Sequence, residues 1–246
     1  MDVLKRLVHS MPMTGSIEHL ILAVATFLAS HFVLSSIPVR QALISKTGDM
    51  PFKGIYSVVS AVAFVWMILA YKAAPVHDVW QPIPQMAALV MPLMLIACIF
   101  FVSAYTTKSP TNIGAEGYIA DMTPAQGIQS ITRHPFLWAV VLWAVSHLLV
   151  NGDMATIILM LGMITLSFGG MRHIDYRRAK LLGSAWGPVA LTTSVTPFKA
   201  VFQGRCKLDL KGIGLLRVLG GVLIYAGLLI AHEWISGVQL INIEII

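Results

Sequence analysis

Charge is what this chain has least of. Only 11% of its 246 residues are charged, with 11 acids against 17 lysines and arginines. Soluble domains carry about a quarter, so a water-bathed globular surface is excluded. Cysteine is almost absent: Cys98 falls in an apolar run and Cys206 in a basic stretch. Two such residues build no disulfide framework, and neither looks like part of a metal site. Strict polar/apolar alternation is also missing, which excludes a membrane β-barrel. The scarcity of acid leaves a formal charge of +6. That excess lies in loops beside apolar runs, where anionic lipid is its natural counterpart, so the bilayer and not nucleic acid is the expected partner.

Hydrophobic residues make up 57% of the chain, and the mean hydropathy is +0.79. Crossing a hydrocarbon core takes about 20 residues of helix. Apolar runs of about that length lie at 16–37, 55–73, 86–106, 135–150, 154–171 and 213–232, the fourth being the shortest. Backbone polar groups in lipid must be satisfied within each segment, so these runs read as helices. The expected fold is an all-α, polytopic transmembrane bundle of about six spans, forming one domain over 1–246.

Fourteen of the seventeen basic residues fall on one set of loops. Positive charge stays on the cytoplasmic side, which predicts both termini outside and the basic loop 172–212 inside a bacterial inner (plasma) membrane. Lys5 and Arg6 pull the other way. Val3, Leu4, Leu7, Val8 and Met11 share one helical face, so residues 1–13 are expected to lie on the membrane surface as an amphipathic helix. The apolar run from Leu20 continues past Ser30 to Leu34 and meets a basic loop, so a cleaved signal peptide is not expected. The connector 107–133, with Pro110, Gly114, Gly117, Pro124 and Gly127, reads as irregular. Ala155, Gly162 and Gly169 recur at heptad spacing, as do Gly220 and Gly227, a pattern that lets membrane helices approach closely.

Histidine carries the candidate chemistry. His9, His19, His77 and His232 sit at or beyond span ends, where an amphipathic ring is at home. His134 precedes Pro135 at a helix start and is expected at the interface beside Arg133. His173 lies on a charged continuation of the fifth helix, expected to be a solvated or headgroup-lying face. His31 and His147 have no water-facing excuse, and ionisable groups within spans usually serve function. Counted from Ile37 and Pro135, they lie about 9 Å and about 18 Å deep at 1.5 Å per residue. Two readings stand open for them. Each bonds a neighbouring helix, or the two neutral imidazoles are axial ligands of haem iron, which needs little else from a protein. Zinc requires three or four donors, and no third is near in sequence.

The run from His31 to Arg40, then Phe52-Lys53-Gly54-Ile55-Tyr56-Ser57, Thr132-Arg133-His134-Pro135, Trp143, His147 and Asn151-Gly152-Asp153 resembles the NnrU family of membrane proteins. The resemblance implies nitrite and nitric-oxide metabolism in denitrification, with an apolar or gaseous small-molecule ligand and nitric-oxide-handling respiratory proteins as partners. It also implies kinship with a carotene isomerase that holds haem b through two histidines, which fall here on His31 and His147. That isomerase carries a cysteine three residues before its second histidine; this chain has Ala144. Arg133-His134-Pro135 with Asp175, Arg178, Gly183, Trp186 and Pro197-Phe198 is more distantly similar to isoprenylcysteine methyltransferase-type enzymes. That similarity implies S-adenosylmethionine or NADPH near His134 and Arg133. A membrane accessory protein without catalysis is the remaining expectation.

Overall fold

The computed structural model describes residues 15–109, 111 and 125–238. Seven longer helices dominate: α1 (Ile17–Ser35), α2 (Ile37–Thr47), α3 (Asp49–Ala73), α4 (Ala87–Thr106), α5 (Pro135–Val150), α6 (Met154–Leu182) and α7 (Leu215–Ser236). The chain is an all-α membrane protein: α1, α3, α4, α6 and α7 are long and apolar enough to cross a bilayer, and α5 is a shorter apolar helix of 16 residues. At 1.5 Å per residue the 29 residues of α6 run about 43 Å. Its last turns, bearing Arg172, Arg177, Arg178 and Lys180, therefore outrun a hydrocarbon core of about 30 Å. The predicted surface helix over 1–13, with His9, and most of the connector 107–133 lie outside the described residues.

Residues 38–54, read from sequence as a loop, contain a separate helix. α1 stops at Ser36, whose ψ of 143° is extended, and α2 restarts with Pro38 in its first turn. Gly48 then takes φ +86°, a conformation suited to glycine, and α3 begins at once. Asp49 fixes this corner by receiving Arg40 at 3.1 Å and Lys53 at 2.6 Å. The basic stretch 172–212 is likewise folded: α6 continues to Leu182, and short turns at Gly183–Trp186, Gly187–Thr192, Lys199–Phe202 and Lys211–Ile213 follow.

The chain divides into two compact units, Met1–Met86 with His147–His173, and Ala87–Ser146 with Ile174–Ile246. In the first, α1 and α3 run antiparallel, with Phe27 on Phe64 and His31 on Tyr56. The predicted small-residue seam of α6 exists: Gly162 meets Val24 and Gly169 meets Phe32 of α1 so closely that a Cβ would come within 2.5 Å. In the second unit α7 lies against α4. Its seam is Gly220 and Gly221, against Val102 and Ile99, whereas Gly227 faces open space. The heptad reading missed this because the close approach is to the backbone of Ile99, one position out of phase.

Asn151-Gly152-Asp153 links α5 to α6. The Asn151 amide donates to the His147 carbonyl at 2.8 Å, and Asp153 accepts from the Thr156 amide at 2.9 Å as the cap of α6. Between them the Gly152 carbonyl accepts from Val79 at 2.8 Å, and a Cβ on Gly152 would sit 1.8 Å from the Trp80 oxygen. Gly152→Ala is expected to cost about 2–3 kcal/mol, whereas Gly227→Ala, in an open helical position, should be neutral or slightly stabilising. Thermal unfolding in detergent checks the pair; equal midpoints would contradict the crowding at Gly152.

Candidate functional site

The first unit holds both intramembrane histidines, His31 on α1 and His147 at the end of its α5 segment. His31 is half-buried, its ring edge-on to Phe27 at 4.4 Å and to Tyr56 at 5.8 Å. Its Nδ1 lies 2.8 Å from the Phe27 carbonyl. A carbonyl only accepts, so Nδ1 carries the proton, and in the neutral ring Nε2 keeps its lone pair. This is how proteins orient a metal-binding imidazole: the second nitrogen is tied to an oxygen that fixes the tautomer. His147 is half-buried and its carbonyl is held by Asn151. Ala144, one turn before it, is fully buried and supplies no thiol.

The other histidines use their nitrogens differently. His19 Nε2 accepts from the Trp66 indole at 2.8 Å, so that lone pair is spent. His173, expected on a solvated or headgroup-lying face, is half-buried and donates from Nε2 to the Ser35 carbonyl at 2.8 Å, tying α6 to the end of α1. Several span hydroxyls serve their own helices: Thr26 donates to Leu22, Ser30 to Phe27, Ser35 to His31 and Ser167 to Met163. Among the described residues no cluster of three or more His, Cys, Asp or Glu is arranged for a metal ion. A single oriented imidazole nitrogen such as His31 Nε2 is a donor of the kind that haem iron takes as an axial ligand.

The second unit builds a polar cluster around Arg133 and His134. His134, expected at the interface, is 2% exposed. Its Nε2 lies 2.9 Å from Asp175 Oδ1, and Arg133 Nη1 lies 3.5 Å from Asp175 Oδ2. Arg133 also stacks at 5.8 Å over the buried Trp186. Burial holds the His134 imidazole below its usual range; the Asp175 carboxylate pulls it back up and Arg133 pushes it down. The ring is therefore neutral near pH 7 and donates Nε2–H to Asp175.

Long-range backbone bonds hold this cluster together. Arg133 N–H donates to the Ser194 carbonyl and Phe198 N–H to the Ile131 carbonyl, both at 2.9 Å. Thr132 Oγ1 and the Trp138 indole both donate to the Val195 carbonyl. Phe198 takes φ +61° to make the turn, an uncommon conformation for a residue with a side chain. Residues 193–198 are thus zipped alongside 131–133. Nothing in the sequence signals that pairing apart from the shared motif residues Trp186 and Pro197-Phe198.

The NnrU protein family matches residues 19–240. The chain belongs to that family. A 79-residue stretch is 37% identical to the 15-cis-zeta-carotene isomerase, chloroplastic, of Arabidopsis thaliana, covering 32% of this chain and 22% of that protein. The enzyme of the same name from Zea mays is 35% identical over 82 residues, which cover 33% of this chain and 22% of its own length. The similarity therefore spans about a fifth of these relatives. No solved structure matches the chain.

The buried His134 makes stability depend on pH. The unfolded ring takes up a proton near about pH 6.5, the folded ring only at lower pH, so between those values the unfolded state binds more protons and stability falls as pH falls. The unfolding midpoint should drop from pH 6.5 towards pH 5, with a smaller drop in His134→Gln; equal slopes would contradict the assignment. Asp175→Asn leaves Arg133 buried without its carboxylate and should cost about 3 kcal/mol at pH 7.5, read by the same unfolding measurement.

Proposed function

We propose that this NnrU family member is a membrane-embedded cis–trans isomerase of an apolar polyene lipid, with haem b held by His31 and His147. The observation that carries the reading is the His31 hydrogen bond to Phe27, which leaves Nε2 as a lone-pair donor among aromatic rings within a span. Similarity to the zeta-carotene isomerases favours isomerisation over the nitric-oxide chemistry expected from the family resemblance. Haem b, when bound, supplies an iron centre of switchable oxidation state beside apolar surface.

The chain's own part is positional. A cis–trans isomerisation consumes no water and transfers no net proton, so it calls for no acid or base in the span. Near His31 that agrees with Thr26 and Ser30, whose hydroxyls donate to their own helix. Half-buried Tyr56 offers ring surface suited to a conjugated chain, buried Phe27 packs behind the His31 ring, and the Phe27 carbonyl keeps the His31 tautomer fixed. Ala144 makes a thiolate exchange with the second histidine inaccessible, so ligation in this chain rests on imidazole alone. The distribution of basic residues favours a bacterial inner membrane, with both termini periplasmic and 172–212 cytoplasmic.

Protein purified from haem-replete cells and supplied with 15-cis-zeta-carotene should convert it to an isomer with a different retention time and absorption maximum. His31→Ala and His147→Ala should each lose haem and lower turnover at least about 100-fold, as expected for loss of an essential cofactor ligand. His77→Ala and His232→Ala should retain both. Equal haem content in all four variants would remove the ligand assignment. Haem loss without any isomerisation by the parent protein would leave the ligands and remove the reaction.

A further inference from the structure

Beside the Arg133 cluster, within the second unit, is a cavity of about 270 Å³ lined by Arg133, Ser194, Lys199, Gln203 and Arg205 among others. Three of these side chains are cationic. Among the described residues one carboxylate, Asp175, reaches these three cations; it meets Arg133 Nη1 through Oδ2 while its Oδ1 accepts from His134. Arg133 is 8% exposed, and its Nε is buried without a hydrogen-bond partner among the described residues, although Nη2 donates to the Thr193 carbonyl at 3.4 Å. A buried guanidinium N–H without an acceptor costs free energy that a bound anion would recover. Arg205 is anchored, donating from Nη1 to the carbonyls of Thr193 and Leu191 and from Nε to Gln203 Oε1 at 2.9 Å. That last bond turns the Gln203 carbonyl to Arg205 and leaves its NH2 as a donor. Lys199 is exposed at the rim.

We propose that this cavity binds a phosphate group. Its donors are fixed before any ligand arrives: the Arg133 guanidinium by Asp175, Trp186 and the Thr193 carbonyl, and Arg205 by three backbone carbonyls. Guanidinium groups match tetrahedral oxyanions by charge and by the spread of their N–H bonds. The phosphate has two possible sources, a phospholipid headgroup or a small soluble phosphate ester. Phe202, 86% exposed on the same turn as Lys199, and Leu191, 65% exposed, give an acyl chain apolar surface nearby.

Native mass spectrometry of the detergent-purified full chain tests this, with phosphatidic acid, diacylglycerol and glycerol 3-phosphate as probes. Retention of phosphatidic acid but not of diacylglycerol, weakened about tenfold by Lys199→Glu and unchanged by the outlying Lys207→Glu, supports the site and assigns it to lipid. Retention of glycerol 3-phosphate with the same dependence supports the site and assigns it to a soluble ester. Lys199→Ala should weaken either ligand in the same direction but less. Failure of both phosphate probes to bind, or equal losses in Lys199→Glu and Lys207→Glu, overturns the proposal.

Discussion

A polar group inside a helix in an apolar medium has few partners besides the carbonyls of its own preceding turn, and that constraint orders much of this molecule. Thr26, Ser30, Ser35 and Ser167 discharge their hydroxyls in this way. His31 obeys the same rule with one nitrogen, but an imidazole has two. The backbone bond that satisfies Nδ1 also defines what Nε2 can do. Candidate function in the first unit thus follows from the difference between a hydroxyl, which its helix can absorb, and a histidine, which it cannot.

The second unit shows the complementary case, in which polarity is drawn in and fixed by distant chain. A guanidinium and an imidazole are adjacent in sequence at Arg133 and His134, and Asp175 engages both. The irregular run 193–198 supplies carbonyls to Arg133, Thr132 and Trp138. Burial then selects the neutral form of His134 while leaving Arg133 charged, so adjacent residues take opposite protonation states. Among the described residues one Arg133 N–H has no acceptor, and the Nδ1 bond leaves His31 Nε2 as its lone-pair nitrogen; the proposals rest on these two groups.

Much of this was legible in the sequence. Length and apolarity located the six apolar helices seen among the described residues, and the charged extension of α6 follows from its unbroken pattern. The two intramembrane histidines stood out because ionisable groups are costly at such depth. The helix α2 was hidden by Pro38 and Gly48, which read as loop signals but here open one helix and close it. Gly152 and Gly221 were hidden because close backbone approach is a property of the partner segment, Trp80 or Ile99, which local pattern does not reveal. The Arg133 cavity was the least legible element: it depends on backbone bonds between segments some sixty residues apart.

The central claim is that His31 offers an oriented imidazole nitrogen to haem iron, with His147 as the second ligand. The most direct test is the absorption spectrum of the wild-type protein, purified in mild detergent from haem-replete cells, first oxidised and then reduced with dithionite. A stoichiometric chromophore with the sharp reduced bands of six-coordinate b-type haem is the predicted result. Stoichiometric protein without haem absorbance would contradict the account.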